Sequence, residues 1–486
     1  MAGIGFQLRK LSRQDTLSSV VMAAGHAAVI AAGPWLFTIL SLAGITLTTD
    51  RVAGLETLSA FRIVIIYAFA ISLVLTAPVS MVATRLVADA LWLKRPEQVP
   101  PLLIGAFTLA LAIVATGVGL LIAYFRPPVS IAIVLAAASM LVGLIWIVLS
   151  FCGAVRDYRG VTLSFLVGLL VSVIGSITAA IVGFGAAGIA WGFVIGLTVT
   201  FFGLTSRVLA TFPQPVGDPL AGVRALIAGL DSYWRLALGA LLGTLAVWID
   251  KWIFWFSASG EQLSVGLLHA PLYDSAMFIA SLGIIPALSA FVLRLETDFF
   301  DRYQQYYATI SSHGTFNQID GARQRLHAYT LDNLTLITVV QIGICAVIVL
   351  TAPLIVDALG LQFRQVSILR YGALGAVFQF VFIACSAMLL FFDRRRLYLG
   401  LQAMFLGLMA GLTMLSVRLG DEFYGVGYFA ACIIAGFLAY RLANRTFTNL
   451  NYLTFIGNNP SIEAASNVPD ADKKPGRFTR FARPRS

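Results

Sequence analysis

Residues 245–257 read LAVWIDKWIFWFS, which sets a carboxylate, Asp250, directly before an ammonium, Lys251, among three tryptophans. An ionised group near a bilayer centre costs about 2.5–3.5 kcal/mol on insertion scales, so each charge is expected to face a cavity or another polar group. On a helix turning about 100° per residue, Trp248, Trp252 and Trp255 fall within about 60° of one another with Lys251 beside them, while Asp250 and Phe254 point to the far side. Asp250 and Lys251 are therefore expected to have separate partners. Asp274, next to Tyr273 and close to His269 and Pro271, is the natural neighbour for either charge, and Gln379 and His26 are expected to contribute to the same interior. His26 is flanked by alanine and fits a packing role equally well. A row of indoles suits a carbohydrate path, because the apolar faces of sugar rings stack on π-faces and leave hydroxyls free for polar groups. The competing role is an aromatic belt facing lipid at the outer boundary, which applies above all to Trp255.

The elements that must position these groups follow from composition. Of 486 residues only 12% are charged and 59% are hydrophobic, with a mean hydropathy of +0.88, so the chain cannot clothe soluble domains in charge and its solvent is lipid. Period-2 alternation is absent, which excludes a transmembrane β-barrel. Apolar runs predict twelve helical spans near 19–48, 63–84, 101–124, 129–151, 161–183, 189–210, 233–257, 268–292, 334–352, 371–392, 397–417 and 424–443. The first follows Arg9, Lys10 and Arg13 but is far longer than a signal-peptide core, so it reads as a retained, kinked span. With the amino terminus inside, 26 of the 33 basic residues fall in inside segments and 6 outside, which places both termini in the cytoplasm. The net charge of +10 thus reflects topology and lipid contact and not nucleic acid. The four cysteines have no paired or metal-binding spacing. No GxxxxGK[ST] or H-E-x-x-H occurs, and no catalytic residue, cofactor or metal is expected.

The chain repeats itself. The second span ends in RLxxD with Arg85 and Asp89, and the eighth ends in RLxxD with Arg294 and Asp298, 209 residues later. A second basic match, VRDYRG at 155–160 against DRRRLYLG at 393–400, has an offset near 237, and the difference equals the extra length of the loop after the eighth span. Duplication with one insertion produces this pattern, and six spans per copy give parallel repeats about an axis normal to the membrane. The predicted organisation is an amino-terminal segment 1–18, a lobe 19–210, a linker 211–232, a second lobe 233–443 with a cytoplasmic loop 294–333, and a polar tail 444–486. Each RLxxD places Arg and Asp at i and i+4, which suits an ion pair acting as an interfacial anchor or as a cytoplasmic latch. The loop 294–333 mixes aromatics and charges at helical spacing and reads as amphipathic helices for the membrane face or a cytosolic partner. The tail end, KKPGRFTRFARPRS, suits anionic lipid. Gly33-Pro34, Pro78, Pro271 and Pro286 interrupt helical hydrogen bonding and mark expected hinges.

The opening MAGIGFQLRKL, the run AAGPWLFTIL, the two RLxxD ends and the aromatic loop at 299–307 resemble the PelG family, polytopic inner-membrane components of bacterial Pel exopolysaccharide machinery grouped with the MOP superfamily. The resemblance extends to about Asn449. It implies an all-α, two-lobed MOP/MATE-like transporter of the bacterial inner membrane that passes a growing, N-acetylhexosamine-rich polymer, working with a cytosolic glycosyltransferase and other Pel inner-membrane proteins. Trp248, Lys251, Trp252, Trp255, Tyr273, Asp274 and Gln379 are then the expected path, and Asp250 and His26 interior charges. An ion-coupled small-molecule antiporter, a lipid-linked oligosaccharide flippase and a membrane scaffold for a synthase remain the alternatives.

Overall fold

The computed structural model describes residues 41–457 apart from 43, 47, 50, 51, 156, 157 and 217. The expected first span, with His26 and Gly33-Pro34, and the basic tail lie wholly or largely outside the described residues. Among those residues, eleven helical segments are long and apolar enough to cross a membrane, matching the remaining eleven predicted spans.

The first half contains α1 (Leu55–Trp92), α2 (Val99–Phe125), α3 (Val129–Cys152), α4 (Tyr158–Val182) and α5 (Gly185–Thr211). A short amphipathic helix, α6 (Pro219–Ser232), packs on α1 and α2 and leads into α7 (Trp234–Trp255). A two-stranded hairpin follows, β1 (Glu261–Gln262) antiparallel to β2 (Leu268–His269) with Glu261 opposite His269. Then come α8 (Pro271–Leu282), α9 (Ile285–Arg294), α10 (Phe300–Ser311), α11 (Phe316–Ala358), α12 (Gln365–Phe391), α13 (Arg395–Leu419) and α14 (Val426–Thr448). A single turn, α15 (Leu450–Tyr452), and a π-helical segment at Leu453–Gly457 follow.

Helices pack within their own half, α1 on α2, α3 and α5 in the first and α12 on α8, α11 and α14 in the second, while α7 lies on α13. The main contact between halves is α1 against α7, where Trp248 packs on Ala70 and Val74. The closest pair, α4 and α5, is joined by only two residues and meets through glycine: a Cβ on Gly192 would collide with the backbone of Gly175 and Ser176.

The prolines act differently from expectation. Helix α1 runs through Pro78 unbroken, and Pro271 opens α8. The eighth span is nevertheless broken, between Leu282 and Ile285, because Pro286 has no N–H to bond the Leu282 carbonyl. Gln341 of α11 donates to the Gly283 carbonyl at 3.0 Å and so satisfies backbone freed at that break. Helix α11 is 43 residues long and spans about 65 Å at 1.5 Å per residue, more than twice a hydrocarbon core of about 30 Å. Its first part, opened by a capping box between Thr315 and Gln318, pairs with α10 as a helical hairpin built from the predicted 294–333 loop.

Gly192→Leu should separate α4 from α5 and destabilise the protein by about 1–3 kcal/mol. Thermal unfolding of the purified chain in detergent checks this, and an unchanged transition would refute the close contact.

Candidate functional site

A cavity of about 110 Å³ lies between the halves. At roughly 10–15 Å³ of such volume per water, it has room for several waters or one small group. One wall is apolar and belongs to α1, with Ile65, Ile66, Phe69 and Leu73. The opposite wall carries the polar groups: Trp248, Lys251 and Trp255 from α7, Asp274 and Ser281 from α8, Gln379 from α12 and Tyr428 from α14. Five of the expected path residues, Trp248, Lys251, Trp255, Asp274 and Gln379, therefore meet around one space.

The charges are arranged differently from the sequence expectation. Lys251 Nζ lies 3.0 Å from Asp250 Oδ2 and 3.1 Å from Oδ1, so the two are partners on one helix. Helical spacing separates their Cβ atoms by about 100°, but the four-carbon lysine stem is long enough to carry the ammonium back round the helix. Asp250 is fully buried and does not line the cavity, and its Oδ2 also accepts the Tyr273 hydroxyl at 2.9 Å. Tyr273, itself 1% exposed, stacks on Phe254 at 3.8 Å and serves as support for Asp250 behind the cavity wall.

Asp274 pairs with neither charge as expected. Its Oδ2 accepts Trp255 Nε1–H at 2.8 Å and the Ala270 N–H at 3.0 Å, while its buried Oδ1 has no hydrogen-bond partner. Trp255 is only 3% exposed and stacks on Tyr67 of α1 at 4.6 Å, so it is not a lipid-facing belt residue. The Tyr67 hydroxyl donates to the Leu268 carbonyl of the hairpin at 2.9 Å, which closes the cavity end nearest β1 and β2. Gln379 accepts the Tyr428 hydroxyl at 2.8 Å, leaving its amide N–H groups as donors. Trp252 is partly buried among the side chains of the α1–α7 contact.

At the other end of the α1–α7 contact lies the first RLxxD. Leu73 to Arg85 is about 18 Å along the helix, so this end is remote from the cavity. The expected Arg85–Asp89 ion pair does not form. Arg85 instead donates to the Leu390 carbonyl at 3.2 Å and lies 3.9 Å from Asp393, both at the far end of α12. Asp89 accepts the Tyr233 hydroxyl at 2.8 Å, and Arg395 sits over the same tyrosine ring at 4.8 Å while bonding Asp393 at 2.9 Å. The last carbonyls of a helix draw a guanidinium more strongly than a carboxylate one turn away in solvent does. Burial and the Asp89 hydrogen bond both push the Tyr233 phenol above its usual value, which keeps it a donor.

The second RLxxD makes the same triad locally. Asp298 accepts the Tyr329 hydroxyl at 2.9 Å and Arg302 lies over that ring at 3.8 Å, while Arg294 donates to Asn333. All of these residues belong to one half. Tyr67, Tyr233 and Tyr428 had no local sequence signal, because each acts through a partner far away in the chain, and Arg395 stood out only as one of the basic residues of the second repeat match.

A family model described as "PelG: Putative exopolysaccharide Exporter (EPS-E)" matches residues 1–455. No curated protein matches. Among solved structures, an outward-facing multidrug resistance MATE transporter of the MOP superfamily is similar over 88% of this chain and 96% of its own, with a TM-score of 0.63 at 16% identity. A MATE in complex with MaL6 gives 0.61 at 17% identity over 88% and 97%, and a MATE in the bent conformation gives 0.59 at 17% over 93% and 99%. At such identity these neighbours establish the fold.

Trp255→Phe keeps the ring against Tyr67 but removes the donor to buried Asp274, at an expected cost of about 1–3 kcal/mol. A double-mutant cycle with Asp274→Asn, read by thermal unfolding, should show coupling between the two positions; simple additivity would refute the bond.

Proposed function

Because the chain belongs to the PelG family of exopolysaccharide exporters and has the fold of a MOP-superfamily transporter, we propose that it passes a growing Pel-type, N-acetylhexosamine-rich glycan outward across the bacterial inner membrane, between two rocking lobes. The lobes are residues 19–210 and 233–443, joined by 211–232, with both termini in the cytoplasm. The observation that carries this reading is the cavity between α1 and α7, where the Trp248 and Trp255 indoles stand beside polar groups that suit sugar hydroxyls. Charge asymmetry supports the orientation, since the end holding Arg85, Arg394, Arg395 and Arg396 is the basic and hence cytoplasmic one.

In this reading Arg85, Asp89, Tyr233, Asp393 and Arg395 form the cytoplasmic gate, because they join the two halves. Partly exposed ion pairs of this kind are worth about 0–1 kcal/mol, so the gate opens at little cost. Arg294 and Asp298 are anchors, since their partners lie in the same half. The hairpin of α10 and α11 is the docking surface for the cytosolic glycosyltransferase. It is fixed to the end of α14 and to α15 by Tyr306 on Asn451 at 3.0 Å, His327 on Asn444 at 2.8 Å and Arg323 on the Phe447 carbonyl at 3.3 Å, and it presents Phe316 at 70% exposure. The basic tail beyond it meets anionic lipid.

A second reading, an ion-coupled antiporter, draws on one observation, the unpartnered Oδ1 of Asp274. In vesicles with an imposed ion gradient, loss of small-molecule efflux in Asp274→Asn but not in wild type would favour it.

Two outcomes test the main reading. Arg85→Gln with Asp89→Asn should raise labelling of a cysteine at Ser281 from the cytoplasmic side several-fold over the otherwise unchanged protein, while Arg294→Gln should not; equal labelling of that protein and both variants would remove the gate. Phe316→Asp with Arg325→Glu should abolish co-purification of the glycosyltransferase, and retained binding would refute the docking surface.

A further inference from the structure

Among the described residues the cavity has one basic side chain, Lys251, and its ammonium is already committed. Its three N–H donors are accounted for by the two oxygens of Asp250, at 3.1 and 3.0 Å, and by the Val247 carbonyl at 3.2 Å. Asp250 cannot readily release it, because the carboxylate is fully buried and would be left with the Tyr273 hydroxyl alone. The other acid–base side chains at the cavity are the Asp274 carboxyl and the Tyr428 phenol, and neither supplies a cation. The amino terminus of α8, which borders the space, already holds Asp274 in its first turn and directs the Ala270 N–H to it. Residues 16–40, outside the described residues, contain no Lys or Arg.

Phosphate and pyrophosphate are recognised by unpaired Arg or Lys, through charge-assisted and often bidentate hydrogen bonds, or by a free helix amino terminus. Among the described residues, this cavity offers neither. We infer that Asp250 is a specificity-determining residue: by neutralising Lys251 it makes the cavity take uncharged glycan and reject phosphate-bearing ligands. The inference rests on the cavity being the glycan site and deepens that reading.

The test uses equilibrium binding to the purified full chain in nanodiscs, with an uncharged N-acetylhexosamine oligomer and inorganic pyrophosphate as probes. Wild type should bind the oligomer and show no pyrophosphate binding that depends on Lys251. Asp250→Asn keeps the side-chain shape and an acceptor for Tyr273 but frees the ammonium, so pyrophosphate affinity should rise at least about tenfold. Adding Lys251→Gln should erase that gain. The inference is overturned if Asp250→Asn folds and gains nothing, or if wild type binds pyrophosphate and Lys251→Gln abolishes it. The wild-type comparison with Lys251→Gln decides the matter even where Asp250→Asn does not fold. An oligomer that fails to bind wild type overturns the glycan reading, and the pyrophosphate arm still judges the charge argument.

Discussion

Lipid offers no hydrogen bonds, so backbone groups freed inside this molecule are costly unless a side chain satisfies them, and that constraint bears on where the backbone is allowed to break. The interruption at Gly283 is tolerated because Gln341 supplies a donor to its carbonyl. Pro353, inside α11, cannot bond the Val349 carbonyl, and Arg370 donates to that oxygen at 3.1 Å. The charged pair on α7 obeys the same rule: Asp250 is admitted to the interior with both Lys251 and Tyr273 attached. The breaks at Gly283 and Pro353 thus each come with a side chain from another helix.

The duplicated RLxxD shows how one sequence motif acquires two mechanical roles. In both copies the aspartate accepts a tyrosine hydroxyl and an arginine covers that tyrosine's ring. In the first copy the tyrosine lies 144 residues away, at the start of α7, so the triad ties one half to the other. In the second it lies 31 residues away, on α11. The extra length after the eighth span is what brings α10 and the early part of α11 into reach, and with them Arg302 and Tyr329. The second copy therefore has a local partner, while the first depends on the neighbouring half.

Hydropathy and the repeat made the spans, the two halves and the extra helical hairpin legible, because those properties accumulate over many residues of the same kind. Five of the seven expected path residues also meet at one cavity, since indoles and charges in an apolar run have few other places to be. What the sequence concealed was pairing. Helical projection separated Asp250 from Lys251 because it describes Cβ directions and ignores the reach of a lysine stem. Spacing of four predicted an Arg85–Asp89 bond because it is blind to a carbonyl 305 residues downstream. For Trp255 the sequence left the path and a lipid-facing belt both open, because its place near a helix end does not reveal that Tyr67 stacks on it.

The two walls of the cavity differ in a way that bears on motion. Described polar lining groups come from the second half, while α1 contributes Ile65, Ile66, Phe69 and Leu73. Hydrophobic contact is non-directional, so an apolar wall can shift against its neighbour without leaving a donor or acceptor unpaired. Hydrogen bonds described between the halves lie instead at the two ends, Tyr67 to Leu268 near the hairpin and Arg85 and Asp89 at the other. Movement of one half against the other would therefore break a few bonds at one end at a time, while the described polar lining groups, all from the second half, would keep their places relative to one another.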